Sequence, residues 1–361
     1  MKALVAEEID RLGISEVELD PPKAGEVLVK MKATGVCHSD LSFANGTIAT
    51  PMPMVLGHEG SGVVEGVGAG VTNVAPGDHV AISFVPSCGE CESCVRREPY
   101  LCSVAPLDGN LFDGTTRVHR DGKDLFVMCF LGLMAEYAVV PSACVIPIDR
   151  DIDFKAAALV GCGVSTGVGA VLNTAKVEPG ATVAVFGCGG VGLSVVQGAR
   201  LAGASRIIAV DLSEEKMEMA RRFGATDCVS PDGDPVKQIQ AMTGGAGVDY
   251  AFEVVGNGKL VEQCLKAARR GGEAIIVGIG RTDDKFSIRQ PIMVFTSKTL
   301  KGSMYGETDF RVDFPKYLGL YRQGRLDLDS PVTRTSSLDE APQAFEDLKS
   351  GVNARGVIVH E

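Results

Sequence analysis

Cys88, Cys91, Cys94 and Cys102 lie close together in PSCGECESCVRREPYLC, spaced C-x2-C-x2-C-x7-C. Steps this short let one loop fold around a single ion. Four thiolates close a tetrahedral shell of the kind zinc takes in structural sites. A full shell leaves no corner for water, so such a site holds a fold together rather than doing chemistry. An iron–sulfur cluster is the rival reading. The proline that follows the last cysteine in bacterial ferredoxin runs is missing here. A loop of reduced, metal-free cysteines is the plain alternative.

A second set is scattered: Cys37 in GVCHSD, His58 and Glu59 in LGHEG, and Cys162 in LVGCGVST. Each alone is more often core packing than a ligand. Each follows a short apolar run and is ringed by glycine, as expected where strands end in a cleft. Two thiolates and one imidazole bind zinc with one position open, which is the shell of a catalytic site. The other cysteines, Cys129, Cys144, Cys188, Cys228 and Cys264, show no paired spacing. They read as small buried apolar residues, with Cys188 a loop filler.

A third group lies in Gly187-Cys188-Gly189-Gly190-Val191-Gly192, which fits G-x-G-x-x-G. It follows the apolar run ATVAVFG and opens the helical stretch VGLSVVQGARLAGA. After a second run, RIIAV, comes Asp211, 19 residues beyond the last glycine. This context fits a dinucleotide-binding turn. The glycines let backbone N–H groups approach a pyrophosphate at a helix N-terminus. Asp211 accepts from the adenosine ribose hydroxyls and repels a 2′-phosphate, so NAD is favoured over NADP. Lys216 reads equally as a solvated helix residue or a group near the ribose. Val277, at the end of EAIIV, joins the candidate cofactor-binding set.

These groups need elements to position them. Beyond residue 180, EEKMEMARRFGA reads as helix, VDYAFEVVG as strand, NGKLVEQCLKAARRGG as a helix closed by glycine, and EAIIVGIG as strand. Alternating strands and helices predict an α/β, doubly wound parallel sheet. TLKGSMYG reads as a last strand, and at a sheet edge it would offer backbone groups to a second subunit. A homodimer or homotetramer is therefore expected. The first part is different. EVLVKMKATGVC, GSGVVEGVG, DHVAISFV and EYAVV are short strands broken by Gly and Pro, which predicts a β-rich, partly barrel-like domain. The tail, from SLDEAPQAFEDLKSG to RGVIVHE, reads as one helix and one strand folding back onto that domain.

The chain has 361 residues, enough for about two domains, and 45% are hydrophobic. Lys+Arg 35 against Asp+Glu 46 gives a net charge of −11, which speaks against nucleic acid as partner. No apolar run is long enough to span a bilayer. MKALVAEEID does not read as a signal or transit peptide. A cytoplasmic protein with reduced thiols is the expectation.

In order along nearly the whole chain, GVCHSD, LGHEG, VGAGV with PGDHV, the four-cysteine loop, LVGCGVSTG, VFGCGGVGL and VD resemble the zinc-dependent medium-chain alcohol dehydrogenases. The resemblance implies a GroES-like β-rich catalytic domain at 1–163 with both zinc sites. It implies a Rossmann NAD-binding domain at 164–304 and a C-terminal return at 305–361, with the active site between the two domains. By motif, Cys37, His58 and Cys162 match the catalytic zinc ligands, Glu59 an acid that approaches the metal, and Asp40 the partner of the histidine. Cys88, Cys91, Cys94 and Cys102 match the structural zinc lobe. Ser39 matches the hydroxyl that takes the alcohol proton. Thr166 matches a position near the nicotinamide, and Arg355 one near the pyrophosphate. Ile48, Phe84, Phe130 and Leu131 are candidate pocket walls. Two positions depart from the family pattern. Ser42 stands where a histidine completes the proton path, and His38 where an arginine commonly touches the pyrophosphate. The implied activity is reversible hydride transfer between a primary alcohol, aliphatic or aromatic, and NAD. The alternatives are a thiol-dependent formaldehyde dehydrogenase, a polyol dehydrogenase (disfavoured by Cys162) and a non-catalytic nucleotide- or zinc-binding module.

Overall fold

The computed structural model describes residues 1–106, 108–351 and 354–361. These form two compact units. The first comprises Met1–Cys162, Asp309–Gly324 and Leu328–Glu361; the second comprises Gly163–Thr308 and Arg325–Asp327.

The first unit is built on β1, Glu26–Val36. In the first half of this strand Val27, Val29 and Met31 are fully buried while Leu28 and Lys30 are less so. That alternation is what a strand with one face on a core requires. Helix α1, His38–Ala44, follows directly. On one edge β1 pairs antiparallel with β2, Gly60–Val67, which pairs with β3, His79–Ile82. Its other edge is shared by Tyr137–Pro141 and the C-terminal strand Arg355–Val359. The C-terminal strand thus joins the sheet built on residues 26–36, and Val332–Ser336 pairs on its far side. The tail helix, Ala341–Ser350, packs Phe345 and Leu348 into a core with Leu4, Leu41 and Leu56.

The second unit is a parallel sheet. Its strands are β4 (Thr182–Phe186), β5 (Arg206–Val210), β6 (Asp227–Val229), β7 (Val248–Glu253), β8 (Ala268–Ile276) and β9 (Thr299–Gly302). Their order is β6-β5-β4-β7-β8-β9. The order reverses between β4 and β7, and in doubly wound folds ligands bind outside the carboxyl ends of the strands at that point. Val183, Ala184, Val185, Ile208 and Ala209 are fully buried, as runs covered on both faces must be.

Two readings change. The helix after Asn257 stops at Ala267, and ARRGG belongs to β8, because Ala268 already pairs with Val248. Residues 305–308 and 325–327 stay with the second unit instead of returning with the tail. Among the described residues no helix is long and apolar enough to cross a membrane.

Candidate active site and metal centres

The first cluster lies wholly in the first unit. Cys37 is the N-cap of α1, placed where β1 ends. His58 and Glu59 immediately precede β2. Cys162 sits between the helices Phe154–Leu159 and Gly163–Gly169, a helix junction where a strand end was expected. One ligand atom from each of Cys37, His58, Glu59 and Cys162 lies within 4.8 Å of the others, and all four residues are buried.

Asp40 holds this arrangement. Its Oδ2 accepts from the Cys37 backbone N–H at 3.2 Å. Its Oδ1 accepts from the Gly57 N–H at 3.0 Å and pairs with His58 Nδ1 at 3.1 Å. A carboxylate on Nδ1 sets the tautomer with the proton there and turns the other ring nitrogen toward the cluster. His58 Nε2 is buried with no hydrogen-bond partner among the described residues. A buried acceptor without a donor is costly. Two thiols beside an orphaned imidazole nitrogen are the donor set zinc takes, so the residues fit the metal.

Packed this closely, the groups of the cluster perturb one another's protonation. The Cys162 thiol, then His58, hold the Cys37 thiol well below its ordinary range despite burial. Cys37, then burial, push Cys162 well above it. Burial opposes protonation of His58, but Asp40 and Cys37 outweigh it and raise its pKa. Thiols this close cannot both ionise without a cation.

Arg355, the residue expected near the pyrophosphate, pairs with Glu59 beside the cluster. Both are buried. The Glu59 carboxylate reaches it over Gly35, where any side chain would collide with Glu59 Oε2. Ser39 Oγ lies 3.7 Å from Cys37 Sγ. The Phe84 ring stands edge-on to His58, centroids 5.4 Å apart at 83°. Phe130 and Leu131 are buried in the core on which Phe84 packs. Ile48 is half-buried in the loop after α1, and His38 is exposed on that helix. Two features were not legible in sequence: the Glu59–Arg355 pair, and the left-handed backbone at Cys129 and Phe130.

The second cluster is the four-cysteine loop. Its sulfurs stand 3.8 Å apart for Cys88–Cys94 and Cys91–Cys102, and 3.6 Å for Cys88–Cys102. A disulfide needs about 2.05 Å. Four sulfurs at about 2.3 Å from a central zinc would be about 3.8 Å from one another. Backbone N–H groups of Glu90 and Cys91 donate to Cys88 Sγ at 3.4 and 3.3 Å, stabilising thiolate charge. The loop residues fit a closed zinc shell.

In the second unit the glycine turn joins β4 to the helix Gly190–Ala202. Gly187 has φ +101°, and a Cβ on Gly192 would lie 1.9 Å from the Gly187 carbonyl oxygen. Nothing lies within 4 Å of a Cβ on Gly189, so its backbone is open to a ligand. Gly189 is the helix N-cap and caps with no side chain. Those first N–H groups therefore suit a pyrophosphate. Asp211 ends the β5 run. Its carboxylate accepts from the N–H of Cys188 at 2.7 Å and of Ser213 at 2.9 Å. Cys188 is fully buried, so its backbone, not its thiol, faces the acid. Lys216 and Thr166 are half-buried, and Val277 is buried with its N–H on the Glu253 carbonyl.

Two family models match: an alcohol dehydrogenase GroES-like domain over residues 23–150 and a zinc-binding dehydrogenase domain over 190–322. The chain belongs to the zinc-dependent medium-chain alcohol dehydrogenases. It is an NAD-dependent oxidoreductase of this family, with a GroES-like and a Rossmann domain. An S-(hydroxymethyl)glutathione dehydrogenase of Escherichia coli is 43% identical over 354 residues, 96% of each chain. A crystal structure of an alcohol dehydrogenase zinc-binding domain protein from Burkholderia ambifaria has a TM-score of 0.95 at 33% identity, covering 100% of this chain and 98% of that one. Benzyl alcohol dehydrogenase from Acinetobacter calcoaceticus has a TM-score of 0.94 at 31% identity, covering 100% and 99%.

Proposed function

We propose that this alcohol dehydrogenase interconverts a primary alcohol with an aliphatic or aromatic tail and its aldehyde, using NAD. The observation that carries the substrate class is Phe84, edge-on to the ligand-type histidine His58. It gives the metal corner an apolar border that suits a hydrocarbon tail better than a sugar. When bound, zinc at Cys37, His58 and Cys162 supplies a Lewis acid that makes a hydroxyl far more acidic, and NAD supplies the hydride acceptor. Ser39 Oγ accepts the alcohol proton as it passes its own outward to water. One turn along α1, Ser42 offers a hydroxyl that relays a proton but stores none at neutral pH. Asp40 keeps His58 in one tautomer throughout, and Arg355 holds the Glu59 carboxylate. In the second unit Gly187, Gly189, Gly190, Val191 and Gly192 cradle the pyrophosphate, and Asp211 selects the unphosphorylated ribose. His38, Thr166, Lys216 and Val277 complete the proposed cofactor contacts, and Ile48, Phe130 and Leu131 the pocket walls.

The 43%-identical relatives favour a second reading, oxidation of S-(hydroxymethyl)glutathione. That adduct carries carboxylates and asks for cations at the pocket mouth. Arg355, the cation seen at the cluster, is already paired with Glu59. Steady-state rates with benzyl alcohol, hexanol, and formaldehyde with and without glutathione decide between them. A kcat/KM for benzyl alcohol or hexanol at least about tenfold above the adduct's supports the first reading, and the reverse order overturns it. The same panel with NADP in place of NAD tests Asp211.

We also propose a cytoplasmic homodimer or a larger homo-oligomer. All 11 cysteines are free, as a reducing compartment keeps them. Strand β9 lies at the sheet edge, near the exposed side chains of Val294 and Phe295. A second copy of the chain would pair that edge. Light scattering at the monomer mass would overturn this.

A further inference from the structure

We propose that Glu253 is a positioning residue for the cofactor: its side-chain oxygen, acting as a hydrogen-bond acceptor, sets the loop that backs the dinucleotide turn. Glu253 is the last residue of β7 and is fully buried. It lies in register with Phe186 at the end of β4, at the strand-order reversal. Its Oε1 accepts from three successive backbone N–H groups, Val255 at 2.9 Å, Gly256 at 2.8 Å and Asn257 at 3.3 Å. Its backbone carbonyl accepts from Val277 at 2.8 Å and Gly278 at 3.0 Å. One residue thus ties both loops that leave the carboxyl ends of β7 and β8.

The first of these loops presses on the glycine turn. A Cβ on Gly187 would lie 2.5 Å from Val255 Cγ2, and one on Gly192 would lie 3.2 Å from Val254 Cγ2. The space those glycines leave is filled by Val254 and Val255, whose position Glu253 fixes. Moving this loop by a fraction of an ångström moves the N–H groups offered to the pyrophosphate.

The other carboxylate oxygen, Oε2, is buried without a hydrogen-bond partner among the described residues. Among the described residues no ion pair joins Glu253, and burial pushes its pKa above the ordinary carboxyl range. The negative charge is therefore not what the site uses. Convergent N–H groups need an acceptor at one place, and a neutral amide oxygen of the same reach meets that need.

The inference rests on the nucleotide reading of the second unit, and E253Q and E253D test it. Glutamine keeps the reach and loses the charge; aspartate keeps the charge and falls short by about 1.5 Å. On the full zinc-loaded chain, NADH binding by fluorescence, the KM values for NAD and alcohol, and kcat are measured together. E253D is expected to weaken NADH binding and raise the NAD KM at least about tenfold, with kcat and the alcohol KM within about threefold of wild type. E253Q is expected within about threefold of wild type throughout. The reverse ranking, an unchanged NAD KM in E253D, or failure of both variants to fold overturns the proposal. If wild-type protein itself does not bind NADH, the nucleotide site falls too. If wild type binds and E253D binds as tightly, only the role of Glu253 falls.

Discussion

Both cysteine-lined clusters of the first unit suit zinc, but they are built in opposite ways. The four-cysteine loop draws all its ligands from Cys88 to Cys102, and three of them stay half-exposed. The other draws Cys37 from a strand end, His58 from the residues before β2 and Cys162 from a helix junction, all buried. In the loop, short spacing and backbone N–H groups suffice. In the buried cluster, Asp40 and Arg355 must arrive from elsewhere in the chain to hold His58 and Glu59. A closed shell can be local because it only has to bind. An open one needs rigid walls, because its ligands must stay in place while the fourth corner changes occupant.

The sharpest way to break this contrast is Cys162→Ala. Turnover should fall at least about a thousandfold while NADH still binds, because the Lewis acid is lost and the nucleotide site is not. Metal analysis should read one zinc per chain instead of two. Retained activity with one zinc would remove the distinction between the clusters.

Cys91→Ser tests the other side. Zinc content should again fall by one, but the main loss should be stability, with Tm lower by about 10 °C, since a closed structural site supplies folding energy. Activity per folded molecule should drop much less than in Cys162→Ala. Thermal melts alongside rates measured at low temperature separate the two.

Asp40→Asn sharpens the claim that the buried cluster depends on its outer partners. Metal affinity or activity should fall about 10- to 100-fold, with the four-cysteine zinc untouched. A variant indistinguishable from wild type would mean the ligands orient themselves.

Phe84→Ala should give the smallest effect, a KM for benzyl alcohol raised roughly 5- to 20-fold with kcat little changed, through loss of apolar contact. Equal losses for methanol and benzyl alcohol would show that Phe84 supports His58 and does not line the pocket.

Sequence carried much of this because its signals are local. The loop spacing, the glycine turn with Asp211 after a second strand, and the reading of EVLVKMKATGVC as a strand all depend on neighbouring residues. It did not show that Cys162 sits between helices, since an apolar run with glycines reads the same at a strand end. Nor did it show where the helix after Asn257 stops. Alanine, arginine and glycine are compatible with either state, and only pairing of Ala268 with Val248 fixes β8 there.

What the residues determined unaided is the inventory: two sets of soft donors, a phosphate-binding turn, and alternating elements to carry them. What the folded chain alone decided is who meets whom across long separations. Arg355 reaches Glu59 because the C-terminal strand pairs with β1 beside it. Glu253 serves the glycine turn because β7, distant in sequence, lies next to β4. Local patterns are set by bonds and sterics within a few residues, whereas these meetings depend on which strand edges come to lie side by side, and no spacing in the sequence encodes that.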